Sequence, residues 1–155
     1  MKVFIMRHGE AAMHAPSDAE RPLTENGKLI SHQSAEWLKS AIIKTEKTAV
    51  ERVLVSPYLR AQQTLHVVQQ VIETQQINVL AELTPAGNET LVADYLHILQ
   101  QQEVSSVLIV SHLPLVGYLV SELCPNEAPP MFMTSSIVSI DLQAENGEID
   151  EIYMP

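Results

Sequence analysis

The sequence predicts an α/β fold, a single three-layer sandwich. It is built on a mainly parallel sheet with helices on both faces and a C-terminal antiparallel hairpin. Three observations predict it. Short apolar runs alternate with longer stretches whose apolar residues recur at helical spacing. Val107-Leu108-Ile109-Val110 is apolar throughout, as expected for a central parallel strand covered on both faces. Asn146-Gly147 separates two strand-like runs near the end of the chain, a strong signal for a hairpin.

The elements follow in order. Lys2 to Met6 reads as the first strand, and residues 7 to 23 are irregular, with Pro16 and Pro22. Thr24 can cap a helix from Glu25 to about Ser40, with Ile30, Trp37, Leu38 and Ala41 near one face. Arg52 to Val55 is a second strand. Ser56-Pro57 then reads as a helix cap followed by proline at the first helical position. The next helix carries Ala61, Leu65, Val68 and Ile72 on one stripe and a glutamine-rich face opposite. Ile77 to Leu80 is a third strand, and residues 88 to 102 form a helix with Leu91, Val92, Tyr95, Leu96, Ile98 and Leu99 apolar. The strand Val107 to Val110 leads into an apolar helix bearing Leu115, Val116, Leu119, Val120 and Leu123. A proline-rich loop, Pro125 to Pro130, precedes the hairpin strands Ile137 to Leu142 and Glu148 to Tyr153.

The chain has 155 residues, 46% of them apolar, which is enough for a buried core and argues against disorder. We expect one domain over residues 1–155. No apolar run approaches the roughly 18 residues of a membrane span. With one cysteine, Cys124, no internal disulfide can form, and no export signal is evident, so we expect a cytoplasmic protein. Nineteen acidic residues against nine basic ones give a net charge of −10, which excludes nucleic-acid or anionic-membrane binding as the main function. It also gives weight to the four arginines, Arg7, Arg21, Arg52 and Arg60.

Ligands of open α/β sheets bind beyond the carboxyl ends of the strands. There the sequence places Arg7-His8-Gly9-Glu10, Ser56-Pro57-Tyr58-Leu59-Arg60, Glu82-Leu83-Thr84-Pro85 and Ser111-His112. Arg21 lies in the long first loop and can fold over the same edge. Arginine forks match phosphoryl oxygens, and a neutral imidazole nitrogen can attack phosphorus. Gly9 lacks a Cβ and would allow close approach, and the helix start at Ser56 would offer N–H groups to an anion. Each group alone could be an ordinary loop or core residue, but Arg7, His8, Arg60 and His112 converge on one edge. The six histidines show no HxH or HxxxH pair, so no metal site is expected. His66 belongs to the exposed glutamine-rich face, and Cys124 fills a gap in the core.

These residues carry a family resemblance. Arg7-His8-Gly9, Leu23-Thr24 with Gly27, Ser56-Pro57-x-x-Arg60-Ala61-x-x-Thr64 and Val110-Ser111-His112 resemble, in order and spacing, the histidine phosphatase superfamily. The stretches VFIMRHGE, RPLTENG, ERVLVSPYLRAQQT, ELTPAG and SHLPLVGYLVSELCP are similar to its small SixA-type phosphohistidine phosphatases, over Met1 to about Leu142. The resemblance implies His8 as the nucleophile and phosphoryl carrier. It implies Arg7, Arg60 and His112 as holders of the phosphoryl oxygens, Arg21 as a further clamp, Glu10 as a residue orienting the pocket, and no metal or other cofactor. Larger members carry an acidic proton donor in an insertion after the third strand. Here one helix fills that interval, leaving no room for a lid subdomain, and Glu82, or else Glu89, is the candidate acid. The implied substrate is a histidine-phosphorylated carrier protein, either a phosphotransfer domain of a phosphorelay or a phosphotransferase-system carrier. The alternatives are a small sugar or acyl phosphate, or non-catalytic binding of phosphohistidine. We expect a monomer.

Overall fold

Every residue of the fourth strand is buried, and that strand is the axis of the molecule. In the computed structural model, which describes residues 1–155, six strands form one sheet. They are β1 (Lys2–Arg7), β2 (Ala49–Val55), β3 (Glu73–Val79), β4 (Ser106–Ser111), β5 (Ile137–Leu142) and β6 (Gly147–Tyr153). Their spatial order is β3-β2-β4-β1-β5-β6. The first four are parallel, and β5 and β6 join antiparallel. The predicted sandwich with its terminal hairpin is the fold observed.

Strand alternation divides the core. Val3, Ile5, Leu54, Val107 and Ile109 face one side, where they pack with α3 (Glu89–Gln101) and α4 (Leu115–Leu123). Phe4, Met6, Val53, Val55, Leu108 and Val110 face the other, beneath α1 (Glu25–Ile43) and α2 (Leu59–Gln69). Thr24 caps α1 by accepting from the Gly27 amide, and Asn88 caps α3 by accepting from Leu91. Cys124 is buried in the first of these cores.

Three expectations need correction. Ser56 does not cap α2 and Pro57 is not its first helical residue: Tyr58 precedes the helix, and the Ser56 hydroxyl is committed elsewhere. The third strand begins at Glu73, four residues earlier than its apolar residues indicated. It is an edge strand, so its polar side chains stay in water and give no alternation. Arg52 lies in the middle of β2, not at its start.

The β1–β4 register pairs Arg7 with Ser111, so the two strands end side by side. The His8 amide donates to Ser111 O (2.9 Å), and the Ser56 amide donates to Val110 O (3.1 Å). Three strand ends therefore deliver their loops to one point.

Candidate active site

His8 follows β1 and is 7% exposed. Its Nδ1 lies 2.7 Å from Gly9 O. A carbonyl oxygen only accepts, so Nδ1 carries the proton and Nε2 the lone pair. Arg60 Nε donates to that lone pair at 3.2 Å. The imidazole is pushed down to about 4, chiefly by burial, with the charges of Arg60, Arg7 and Arg21 adding and the Gly9 hydrogen bond opposing. His8 is thus neutral at physiological pH, with its nucleophilic nitrogen set among cations.

His112 follows β4 and is 1% exposed, its ring centroid 4.9 Å from that of His8. Its Nε2 is 2.6 Å from Ser56 Oγ, which itself accepts from the Tyr58 amide at 3.2 Å. Nε2 is the only acceptor within reach of the Ser56 hydroxyl proton, which assigns the imidazole proton to Nδ1. This Nδ1 is buried and has no hydrogen-bond partner. His112 is held down to about 3, first by burial, then by repulsion from His8 once that ring is protonated and by the Arg60 charge. The Tyr58 ring meets it edge-on at 5.1 Å.

Arg60, in the first turn of α2, is 4% exposed. Besides His8, its Nη1 donates to Asp18 O (2.6 Å) and its Nη2 to the Asp18 carboxylate (3.2 Å). Arg7 Nη1 donates to Phe132 O at 2.9 Å, while its Nε is buried without a partner. Burial and the Arg60 charge lower the Arg7 guanidinium, which remains cationic at any physiological pH. Arg21 Nε donates to Ala12 O (2.7 Å) and Nη1 to Asp18 Oδ1 (3.0 Å). Two neutral imidazoles, a cluster of guanidinium groups and two buried unpaired N–H atoms form a cradle for an oxyanion. The geometry suits transfer of a phosphoryl group through a histidine.

The family model of the histidine phosphatase superfamily, branch 1, matches residues 3–87. Phosphohistidine phosphatase SixA of Escherichia coli is 54% identical over 149 residues, 95% of this chain and 89% of that protein. The chain belongs to the histidine phosphatase superfamily. A SixA homolog of Haemophilus influenzae is 41% identical, over 96% of this chain and 93% of that protein. The structure of a protein histidine phosphatase SixA complexed with tungstate superposes with a TM-score of 0.90 at 52% identity, covering 98% of this chain and 96% of that one.

Against the residues that the superfamily motifs single out, the structure is informative. Arg7, His8, Arg60 and His112 are brought together, and Arg21 reaches them through Asp18. Ser56 bonds His112 and Tyr58 instead of standing at a free helix end. A Cβ on Gly9 would lie 2.5 Å from Ser31 Oγ and 2.8 Å from Gly27 O, so the crowding there comes from α1. Glu10 accepts from Thr24 Oγ1 and Asn26 Nδ2 and thereby orients the start of α1 at the surface. Glu82 lines a separate hollow with Leu80, Leu91, Val92 and Tyr95 and makes no hydrogen bond to the cluster. Asp18 was missed. The available signal was an acidic residue three positions before one of only four arginines in an otherwise acidic chain.

Proposed function

We propose that this protein is a phosphohistidine phosphatase that removes the phosphoryl group from a histidine-phosphorylated protein. The observation that carries the proposal is the neutral His8, with its Nε2 lone pair beside Arg60 and a nearby His112 N–H that has no partner. The named activity of the SixA relatives supports the same conclusion.

The steps are as follows. His8 Nε2 attacks phosphorus in line, forming an N–P bond as the N–P bond of the substrate breaks. The substrate imidazole carries a proton on its other ring nitrogen, so it leaves neutral as that bond breaks. Water then attacks the phosphorus on His8, releasing inorganic phosphate and restoring the imidazole. Arg7, Arg60 and His112 hold the phosphoryl oxygens, and Arg21 adds a clamp from the first loop. These guanidinium groups supply the positive charge the transferring group needs, so the steps call for no metal. A protonated imidazole is a good leaving group, so a strong carboxylic acid matters less than for an ester.

A protein substrate agrees with the rim of the site. Leu59 and Leu113 adjoin Arg60 and His112, and Met131 and Met133 flank Phe132, whose carbonyl accepts from Arg7; the four are 38%, 37%, 88% and 55% exposed, apolar side chains open to a partner surface. Between β3 and β4 the chain supplies only a short turn and α3, so we read residues 1–155 as one domain without a lid, and we infer a monomer. The carrier we infer is a phosphotransfer domain or a phosphotransferase-system protein.

The test is a time course with a radiolabelled phosphohistidine carrier and near-stoichiometric enzyme, resolved under alkaline conditions. Label should leave the carrier, appear transiently on His8 and end as phosphate. Label that stays on the carrier while small phosphate esters are hydrolysed would replace the protein substrate by a small molecule.

A further inference from the structure

The long loop between β1 and α1 places an acidic residue inside the arginine cluster. Asp18 opens a one-turn 3-10 segment, Asp18–Glu20. One carboxylate oxygen accepts from Arg21 Nη1 at 3.0 Å and the other from Arg60 Nη2 at 3.2 Å, while its carbonyl accepts from Arg60 Nη1 at 2.6 Å. With Nε committed to His8, every nitrogen of Arg60 is engaged. A carboxylate spanning two guanidinium groups makes the same kind of contact as two oxygens of a phosphoryl group. The two partners are unequal in mobility. The Arg60 side chain is 4% exposed and fixed, whereas that of Asp18 is 55% exposed and can turn into water. Hydrogen bonds from Arg21 and Arg60 hold the carboxyl below its usual range, so it is an anion at working pH.

We propose that Asp18 is an internal competing anion: its carboxylate holds the Arg21 and Arg60 guanidinium groups, and a phosphoryl group must displace it to use both. The proposal rests on the arginine clamp of the function proposed above and deepens it. Asp18 makes the clamp discriminating. Inorganic phosphate, the product, has only its own oxygens with which to compete, so it is held weakly and leaves readily. A phosphorylated protein adds the contact area around its histidine and wins the exchange. The carboxylate thereby favours large substrates over small anions without touching the scissile bond.

The experiment measures the affinity of inorganic phosphate for the full-length protein by calorimetry at low ionic strength, in wild type, Asp18→Asn and Ser17→Ala. Ser17→Ala removes the Ser17–Glu20 hydrogen bond of the same turn and leaves the carboxylate in place. Two ion pairs sharing one half-exposed carboxylate predict that Asp18→Asn binds phosphate roughly three- to tenfold more tightly. Ser17→Ala should match wild type. Phosphate should also inhibit Asp18→Asn more strongly by the same factor. Equal or weaker binding by Asp18→Asn would overturn the proposal and make Asp18 a positioning residue for Arg60. Equal tightening by Ser17→Ala would overturn it in favour of loop order. Failure of wild type and Asp18→Asn alike to bind phosphate would overturn the clamp itself, and with it the proposed function.

Discussion

Acid should destabilise this fold between pH 7 and pH 5, and two buried imidazoles set how much. His8 is pushed down to about 4 and His112 to about 3, whereas an unfolded histidine titrates near 6.5. Below pH 6.5 the unfolded chain therefore binds protons at these positions that the folded chain refuses. Stability is full above that value, is lost as pH falls, and stops changing below the folded values. From pH 7 to pH 5 each histidine costs about 2 kcal/mol by linkage, and the pair about 4 kcal/mol. The result is insensitive to the folded values, because at pH 5 both imidazoles are still mostly neutral in the native state. Asp18 and Glu51, whose carboxyls are held below their usual range, lose their contributions only near and below about pH 4.5, outside this window. The assay is urea unfolding at both pH values in phosphate-free buffer, with His8→Gln and His112→Asn. Each variant should lose about 2 kcal/mol less on acidification than wild type. A wild-type change under about 1 kcal/mol, or variants with the same pH dependence as wild type, would refute the buried neutral pair.

Three further outcomes are expected. His8→Ala should abolish both phosphate release and the labelled intermediate, a loss of at least roughly a thousandfold in kcat, read in the carrier time course. Ser56→Ala removes the partner that fixes His112, so kcat should fall roughly tenfold with little change in KM. Nitrogen NMR of His112 should then report a mixed tautomer where wild type shows Nδ1–H. Glu82→Gln should change phosphoramidate turnover by less than about twofold, because its side chain bonds nothing in the cluster; a large loss would restore it as the acid.

Much of this protein follows from its chain directly. The apolar run Val107–Val110 identifies the buried central strand, because a strand covered on both faces has no polar positions. Asn146-Gly147 marks the hairpin, and Thr24 marks the start of α1. Arg7, His8, Arg60 and His112 are legible because each lies at or shortly beyond the carboxyl end of a strand, and parallel strands end at one edge. Periodicity carries no information about the first half of β3, whose polar residues face water, or about loop side chains that bond across the sequence. Tertiary structure alone brings Asp18 onto Arg60, 42 positions away, and Ser56 onto His112, 56 positions away. It also shows that Gly9 is hemmed in by α1. Local pattern determines which residues form strands and helices, since burial repeats with the element's period. The proton on His112, the anion on the arginines and the neutrality of His8 depend on which distant groups share a buried space, and only the folded chain decides that.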